Sequence, residues 1–204
     1  MIRNIIFDLD GVLFDGLAFH RKNYLDALLT VKIECSVDED YFVKNLEGMS
    51  SKSRTEFLVS KGYLTQAEGE LVCNLKQLLT MERLDSYKFD GERIRELLLI
   101  LRSHGFELYC VSNSVGDTQK KVLTGLGIIN MFNGLISSSD VINPKPDPEP
   151  YLLCFQRYGL LPDECLIIED SEIGLKAARA SSARVMAVSG PDKVTLKNIV
   201  SNVH

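Results

Sequence analysis

Ile5-Ile6-Phe7-Asp8-Leu9-Asp10-Gly11 is the stretch on which the fold turns. Three apolar residues in succession, without alternation, read as a strand buried on both faces, and such strands belong to parallel sheets. The run ends abruptly in two acids and a glycine, so a central strand delivers carboxylates to one edge of its sheet. Outward from it, past about residue 86, four more short apolar runs occur: Glu107 to Val111, Gly134 to Ile136, Cys165 to Ile168 and Arg184 to Val188. Helical segments separate them, with apolar residues at Ile94, Leu97, Leu98 and Leu101 before Gly105, and at Tyr151, Leu152 and Phe155 before Gly159. Alternating strand and helix predicts an α/β fold, a doubly wound parallel sheet of Rossmann-like type.

Residues 16–85 break that alternation. Tyr24, Leu25 and Leu28 form one helical stripe, Leu71, Leu75, Leu78 and Leu79 another, and Thr65 with Glu68 forms a capping box ahead of the second. The expected organisation is an α/β core of residues 1–15 and 86–204, with an all-helical domain, 16–85, inserted after the first strand.

In an open parallel sheet, ligands bind beyond the carboxyl ends of the strands, where the strand order reverses. Asp8 and Asp10, Ser112 and Asn113, Lys145, and Glu169 with Asp170 all fall after expected strands. Converging carboxylates repel unless a cation sits among them, and an all-oxygen set suits Mg2+. A lysine can hold a phosphoryl group, and a serine hydroxyl with neighbouring backbone N–H groups can donate to its oxygens. Asp8 is placed to attack phosphorus as a nucleophile, forming an aspartyl-phosphate. Asp10, two residues on, is placed to protonate the leaving oxygen and later to take a proton from water. Taken singly, each element is an ordinary turn or helix cap; their order, each after a strand, carries the reading.

With these motifs in view, the chain resembles the haloacid dehalogenase-type phosphatase superfamily, in the subgroup with a helical cap after the first motif. The likeness rests on Phe7-Asp8-Leu9-Asp10-Gly11-Val12-Leu13, Cys110-Val111-Ser112-Asn113, Lys145-Pro146-Asp147-Pro148 and Ile168-Glu169-Asp170-Ser171, spread over nearly the whole length. It implies Mg2+ held by Asp8, the backbone carbonyl of Asp10 and Asp170, with Glu169 nearby, and Asp8 phosphorylated during turnover. It also implies a cap that closes as a lid and presents substrate-selecting residues. The candidates are His20, the loop Gly48-Met49-Ser50-Ser51-Lys52 and Lys76, with Asn113 on the core side. A phosphomutase of this family, β-phosphoglucomutase, carries an arginine after the Gly-x-Ser of that loop, where this chain has Ser51 and then Lys52; its hinge threonine is replaced by Gly16. A lysine lacks the bidentate fork of arginine, so hydrolysis is expected over mutase activity. A phosphorylation-switched receiver module is a third reading, disfavoured by the helical insert and the Asp-x-Asp-Gly pattern.

Composition narrows the field further. Lys plus Arg at 23 against Asp plus Glu at 28 gives a net charge of -5, which argues against a nucleic-acid partner. Five cysteines, Cys35, Cys73, Cys110, Cys154 and Cys165, without a C-x-x-C pair, point away from zinc and disulfides and toward a cytoplasmic setting. The N-terminal apolar run is broken by charge too early for a signal peptide, and no membrane span is expected. The expected partner is a small phosphorylated metabolite, and the expected working unit a monomer.

Overall fold

The computed structural model describes residues 1–32 and 36–203; Cys35 lies outside them. The chain divides into two compact units, Met1–Asp15 with Lys88–His204, and Gly16–Tyr87. In the first, β1 (Asn4–Phe7), β2 (Glu107–Val111), β3 (Gly134–Ile136), β4 (Cys165–Glu169) and β5 (Arg184–Ala187) are the strands among the described residues. They form one parallel sheet in the order β3-β2-β1-β4-β5, the α/β architecture expected from the alternating pattern. The helical unit contains α1 (Leu17–Val31), α2 (Glu39–Asn45), α3 (Ser51–Ser60) and α4 (Gln66–Asp85). The sheet unit carries α5 (Glu92–Ser103), α6 (Gly116–Gly125), α7 (Glu149–Tyr158), α8 (Glu172–Ala180) and α9 (Leu196–Val203). The last of these, α9, spans residues 196–203.

Every residue of β1 and β4 is buried, as the unbroken apolar runs require of strands covered on both faces. Ile94, Leu97, Leu98 and Leu101 of α5 are buried together, in keeping with their 3.6-residue spacing. On α7 the buried face is Tyr151, Cys154 and Phe155; Leu152, expected with them, is 46% exposed. Spacing 151, 154, 155 is the tighter helical stripe, and Leu152 falls off its edge.

The capping box of α4 is present, with both the Thr65 and the Glu68 side chain engaged. The buried face of this helix differs from the expected leucine stripe. Leu71 and Leu78 are 58% and 67% exposed, Leu75 and Leu79 pack at the margin, and the buried residues are Gly69, Val72, Lys76, Thr80 and Leu84. A Cβ on Gly69 would collide with Thr55 of α3, so the two helices approach closely there and the face that carries Gly69, rather than the leucine stripe, turns inward. No helix among the described residues is long and apolar enough to cross a membrane.

Candidate active site

Register brings the strand ends level. Phe7 pairs with Cys110 on one side and Ile168 on the other, so one residue later Asp8, Val111 and Glu169 emerge together at the carboxyl edge. The Asp8 N–H still donates to the Ile168 carbonyl at 3.0 Å. Beyond Asp8 the chain folds into a tight turn in which Leu13 and Phe14 donate to the Leu9 carbonyl at 2.9 Å. Gly11 has φ +85°, and a Cβ there would overlap the Asp170 carboxylate. Both demands are met by glycine alone.

Lys145 is the hub. Its ammonium has three protons, and it donates to Asp8 Oδ1 at 2.8 Å, the Val111 carbonyl at 2.7 Å and Glu169 Oε1 at 2.5 Å. The Asn113 carboxamide fixes the lysine's own backbone, donating to its carbonyl and accepting from its N–H, both at 3.0 Å. The side chain of Asn113 is thus engaged with the Lys145 loop. Ser112, 2% exposed, receives the N–H of Ser114 on its Oγ at 3.0 Å. Ser114 in turn donates from Oγ to Asp10 Oδ2 at 2.8 Å.

Asp8, Glu169 and Asp170 each offer a carboxylate oxygen, and the three atoms lie within 4.8 Å of one another. Glu169 Oε1 accepts from Lys145 and from the Tyr151 hydroxyl, the latter at 2.5 Å, while its buried Oε2 has no partner among the described residues. Asp170 Oδ1 is likewise buried without one. A Cβ on Gly174 would sit on the Glu169 carboxylate, so α8 leaves a gap that the acid fills. Burial pushes the Asp8 carboxyl well above the usual range, against the pull of Lys145. Burial and then the Glu169 charge raise Asp170 to about 6. Burial alone would lower Lys145, but Asp8 and Glu169 hold its ammonium above the ordinary value. Three carboxylates against one ammonium leave two excess negative charges, the complement of a divalent cation, and an all-oxygen donor set suits a hard one. The residues present therefore fit magnesium.

Of the sequence-predicted residues, Asp8, Asp10, Ser112, Asn113, Lys145, Glu169 and Asp170 all belong to the sheet unit: hydrogen bonds join Asp8, Asn113, Lys145 and Glu169, Ser114 joins Ser112 to Asp10, and Asp170 lies with Asp8 and Glu169 in the three-acid group. The Asp10 side chain stands with Ser114 rather than in the three-acid group. His20, Gly48, Ser51, Lys52 and Lys76 all belong to the helical unit. There His20 lies on α1, 7% exposed, with its ring edge-on to Phe19 at 5.4 Å. Gly48 has φ +77°, and Ser50 caps α3, so Ser51 and Lys52 open that helix. The Lys52 side chain is 74% exposed and reaches Glu56 at 4.0 Å. Lys76, whose ordinary reading is a solvated charge, is 7% exposed.

Two residues escaped the sequence reading, Tyr151 and Ser114. Tyr151 reads in the sequence only as part of an apolar stripe, yet its hydroxyl binds Glu169 and its ring lies 4.9 Å from the Lys145 ammonium. A tyrosine amid a fully buried stripe is the available signal, since its hydroxyl needs a partner. Ser114 gave no signal beyond its place two residues after Ser112.

The haloacid dehalogenase-like hydrolase family matches residues 5–188, and the chain belongs to it. It is 29% identical over 196 residues to phosphoglycolate phosphatase of Nitrosococcus oceani, covering 91% of this chain and 83% of that protein. It is 26% identical over 179 residues to fructose-1-phosphate phosphatase YqaB of Escherichia coli (strain K12), covering 87% of this chain and 91% of the relative. These relatives are named phosphatases, a class of phosphoric monoester hydrolases. Among solved structures, a β-phosphoglucomutase (pgmB) from Clostridium difficile superimposes with a TM-score of 0.84 at 22% identity, covering 100% of this chain and 97% of that one, and shares its fold. The chain is an enzyme of this hydrolase family.

Proposed function

We propose that this protein is a magnesium-dependent phosphatase that hydrolyses a small phosphomonoester, a sugar phosphate or similar metabolite, through an aspartyl-phosphate on Asp8. The observation that carries this is Asp8 at the end of the central strand, held by Lys145 at 2.8 Å inside a three-carboxylate group. In the proposed first step an Asp8 oxygen attacks phosphorus while the P–O bond to the leaving group breaks, and Asp10 gives that oxygen its proton. In the second, Asp10 takes a proton from the attacking water and phosphate leaves Asp8. In this reading Lys145, on exchanging one of its present bonds, the Ser112 hydroxyl and the Asn113 N–H donate to the phosphoryl oxygens; the Ser112 N–H is held by the Ile136 carbonyl at 3.0 Å. Magnesium would be held by Asp8, Asp170 and the Asp10 carbonyl, with Glu169 behind them, and would supply positive charge to the transferring group.

Relatives named for fructose 1-phosphate and phosphoglycolate support the substrate class. The phosphomutase alternative needs a second phosphate clamp; Lys52 is solvated beside Glu56, and Arg54 donates from Nε to the Leu46 carbonyl at 3.0 Å within the helical unit. We assign selection of the substrate to the helical unit, with His20, Ser51, Lys52 and Lys76 as the residues to vary. A cytoplasmic setting belongs to the same proposal, supported by free, buried thiols at Cys110 and Cys154. The test is phosphate release from a panel of phosphate esters with magnesium, calcium or excess chelator. Release with magnesium above calcium and none in chelator is expected; full activity in chelator would overturn the metal assignment. Glucose 6-phosphate accumulating from β-glucose 1-phosphate without phosphate release would establish the mutase instead.

A further inference from the structure

Asp10 and Ser114 are 104 residues apart in sequence, yet the serine hydroxyl donates to Asp10 Oδ2 at 2.8 Å. Ser114 is itself held on both sides, its N–H donating to Ser112 Oγ at 3.0 Å and its carbonyl accepting from the Ser138 N–H at 3.1 Å. The donor aimed at Asp10 is therefore mounted on the loop after β2 that also carries Ser112. Asp10 follows β1 on a turn fixed by its own hydrogen bonds to Leu9.

We propose that Ser114 is a positioning residue for Asp10, fixing which carboxyl oxygen carries the shuttled proton. This rests on the phosphatase reading above and deepens it. A hydroxyl that donates to Oδ2 is satisfied whether that oxygen is the carbonyl of the acid or part of the carboxylate. The transferred proton then belongs to Oδ1 in both steps. When the P–O bond breaks, its electron pair stays on the leaving oxygen and the Oδ1 proton moves to it. When water attacks Asp8's phosphoryl group, a water proton returns to Oδ1. The carboxyl keeps one orientation throughout, and no rotation is needed between the two steps.

The consequence is a dependence on the leaving group. An alkoxide needs its proton as the bond breaks, whereas p-nitrophenolate departs with little help, so losing the orientation of Asp10 should harm alkyl esters selectively. The experiment compares kcat/KM, which reports the steps through leaving-group departure, for an alkyl phosphate and p-nitrophenyl phosphate. Ser114→Ala should lower the alkyl-to-aryl ratio by roughly tenfold or more, since misorienting a catalytic group costs up to about 10²-fold. Ser114→Thr, which keeps the hydroxyl, should restore it, and Asp10→Asn should show the same bias more strongly. Equal losses on both esters, as a lost substrate contact or a loosened loop would give, would overturn the inference while leaving the phosphatase reading intact. So would an unchanged ratio, or Ser114→Thr behaving like Ser114→Ala. No phosphate release from either ester by the unmodified protein would remove both.

Discussion

In the helical unit the buried Asn23 carboxamide donates to Thr80 at 3.3 Å and accepts from Arg83 at 2.5 Å; at the sheet's edge Glu169 Oε2 and Asp170 Oδ1 are buried with no partner among the described residues. The same contrast extends around each. Tyr24 and Thr55 share a hydrogen bond at 3.0 Å, and the Arg54 guanidinium lies 4.8 Å from the Phe42 ring centre while its Nε donates to Leu46. Those bonds pair the Asn23, Tyr24, Thr55 and Arg54 side chains within the helical unit, as groups kept for stability require. The edge of the sheet concentrates like charge and leaves oxygens over. Buried carboxylate oxygens without a partner oppose folding, which is the signature of groups kept to act on something from outside.

The comparison breaks most visibly at the sheet's edge. Asp8→Asn removes nucleophile and metal ligand together and should leave phosphate release at background, while circular dichroism stays native. Asp10→Asn should lose roughly 10²–10⁴-fold in the same assay, the usual worth of positioned acid–base catalysis. More than a few per cent residual activity in Asp8→Asn would refute the aspartyl-phosphate route.

In the helical unit the cost should fall on stability instead. Asn23→Ala strands the Thr80 hydroxyl and one Arg83 donor, and about 1–3 kcal/mol should be lost in urea unfolding. A neutral result would mean that this network is as dispensable as a surface one.

The smallest effect runs the other way. Asp170 is raised from 3.8 to about 6 in the folded protein, first by burial and then by Glu169. A carboxyl raised on folding favours the native state fully below its unfolded value and withdraws that support as pH climbs through the folded one. With chelator present, stability should therefore decline between pH 4 and about 6. Asp170→Asn should flatten the decline and be more stable at pH 7 by on the order of 1 kcal/mol, though inactive. A steeper profile in the variant would contradict the assignment of this acid as a destabilising, functional group.

The central strands β1 and β4 are legible because residues buried on both faces leave continuous apolar runs, and strand ends in a parallel sheet converge on one edge whatever their distance in sequence. Asp8, Lys145 and Glu169 could thus be grouped from sequence alone. The Asn113 carboxamide against the Lys145 backbone, and the Ser114 hydroxyl against Asp10, could not, because serine and asparagine in a turn look alike whichever neighbour they bind. On α4 the leucines misled for a different reason. Leucine at 71, 75, 78 and 79 and the buried set at 69, 72, 76, 80 and 84 both keep helical spacing, on adjacent faces. Only the approach of a second helix decides between them, and that is a tertiary fact.

Gly174 has a practical consequence for anyone wishing to make this protein hardier. It lies in the first turn of α8, where Ser171 caps its N–H at 3.1 Å, and a ranking by helix preference would nominate it for alanine first, at a gain of about 1 kcal/mol. The added methyl group would occupy the room taken by the Glu169 carboxylate and displace the acid that faces Lys145. A library enriched for thermal resistance should therefore be purged of this substitution, or read with a turnover assay alongside, since the variant that looks most reasonable on the helix would be selected against by the chemistry next to it.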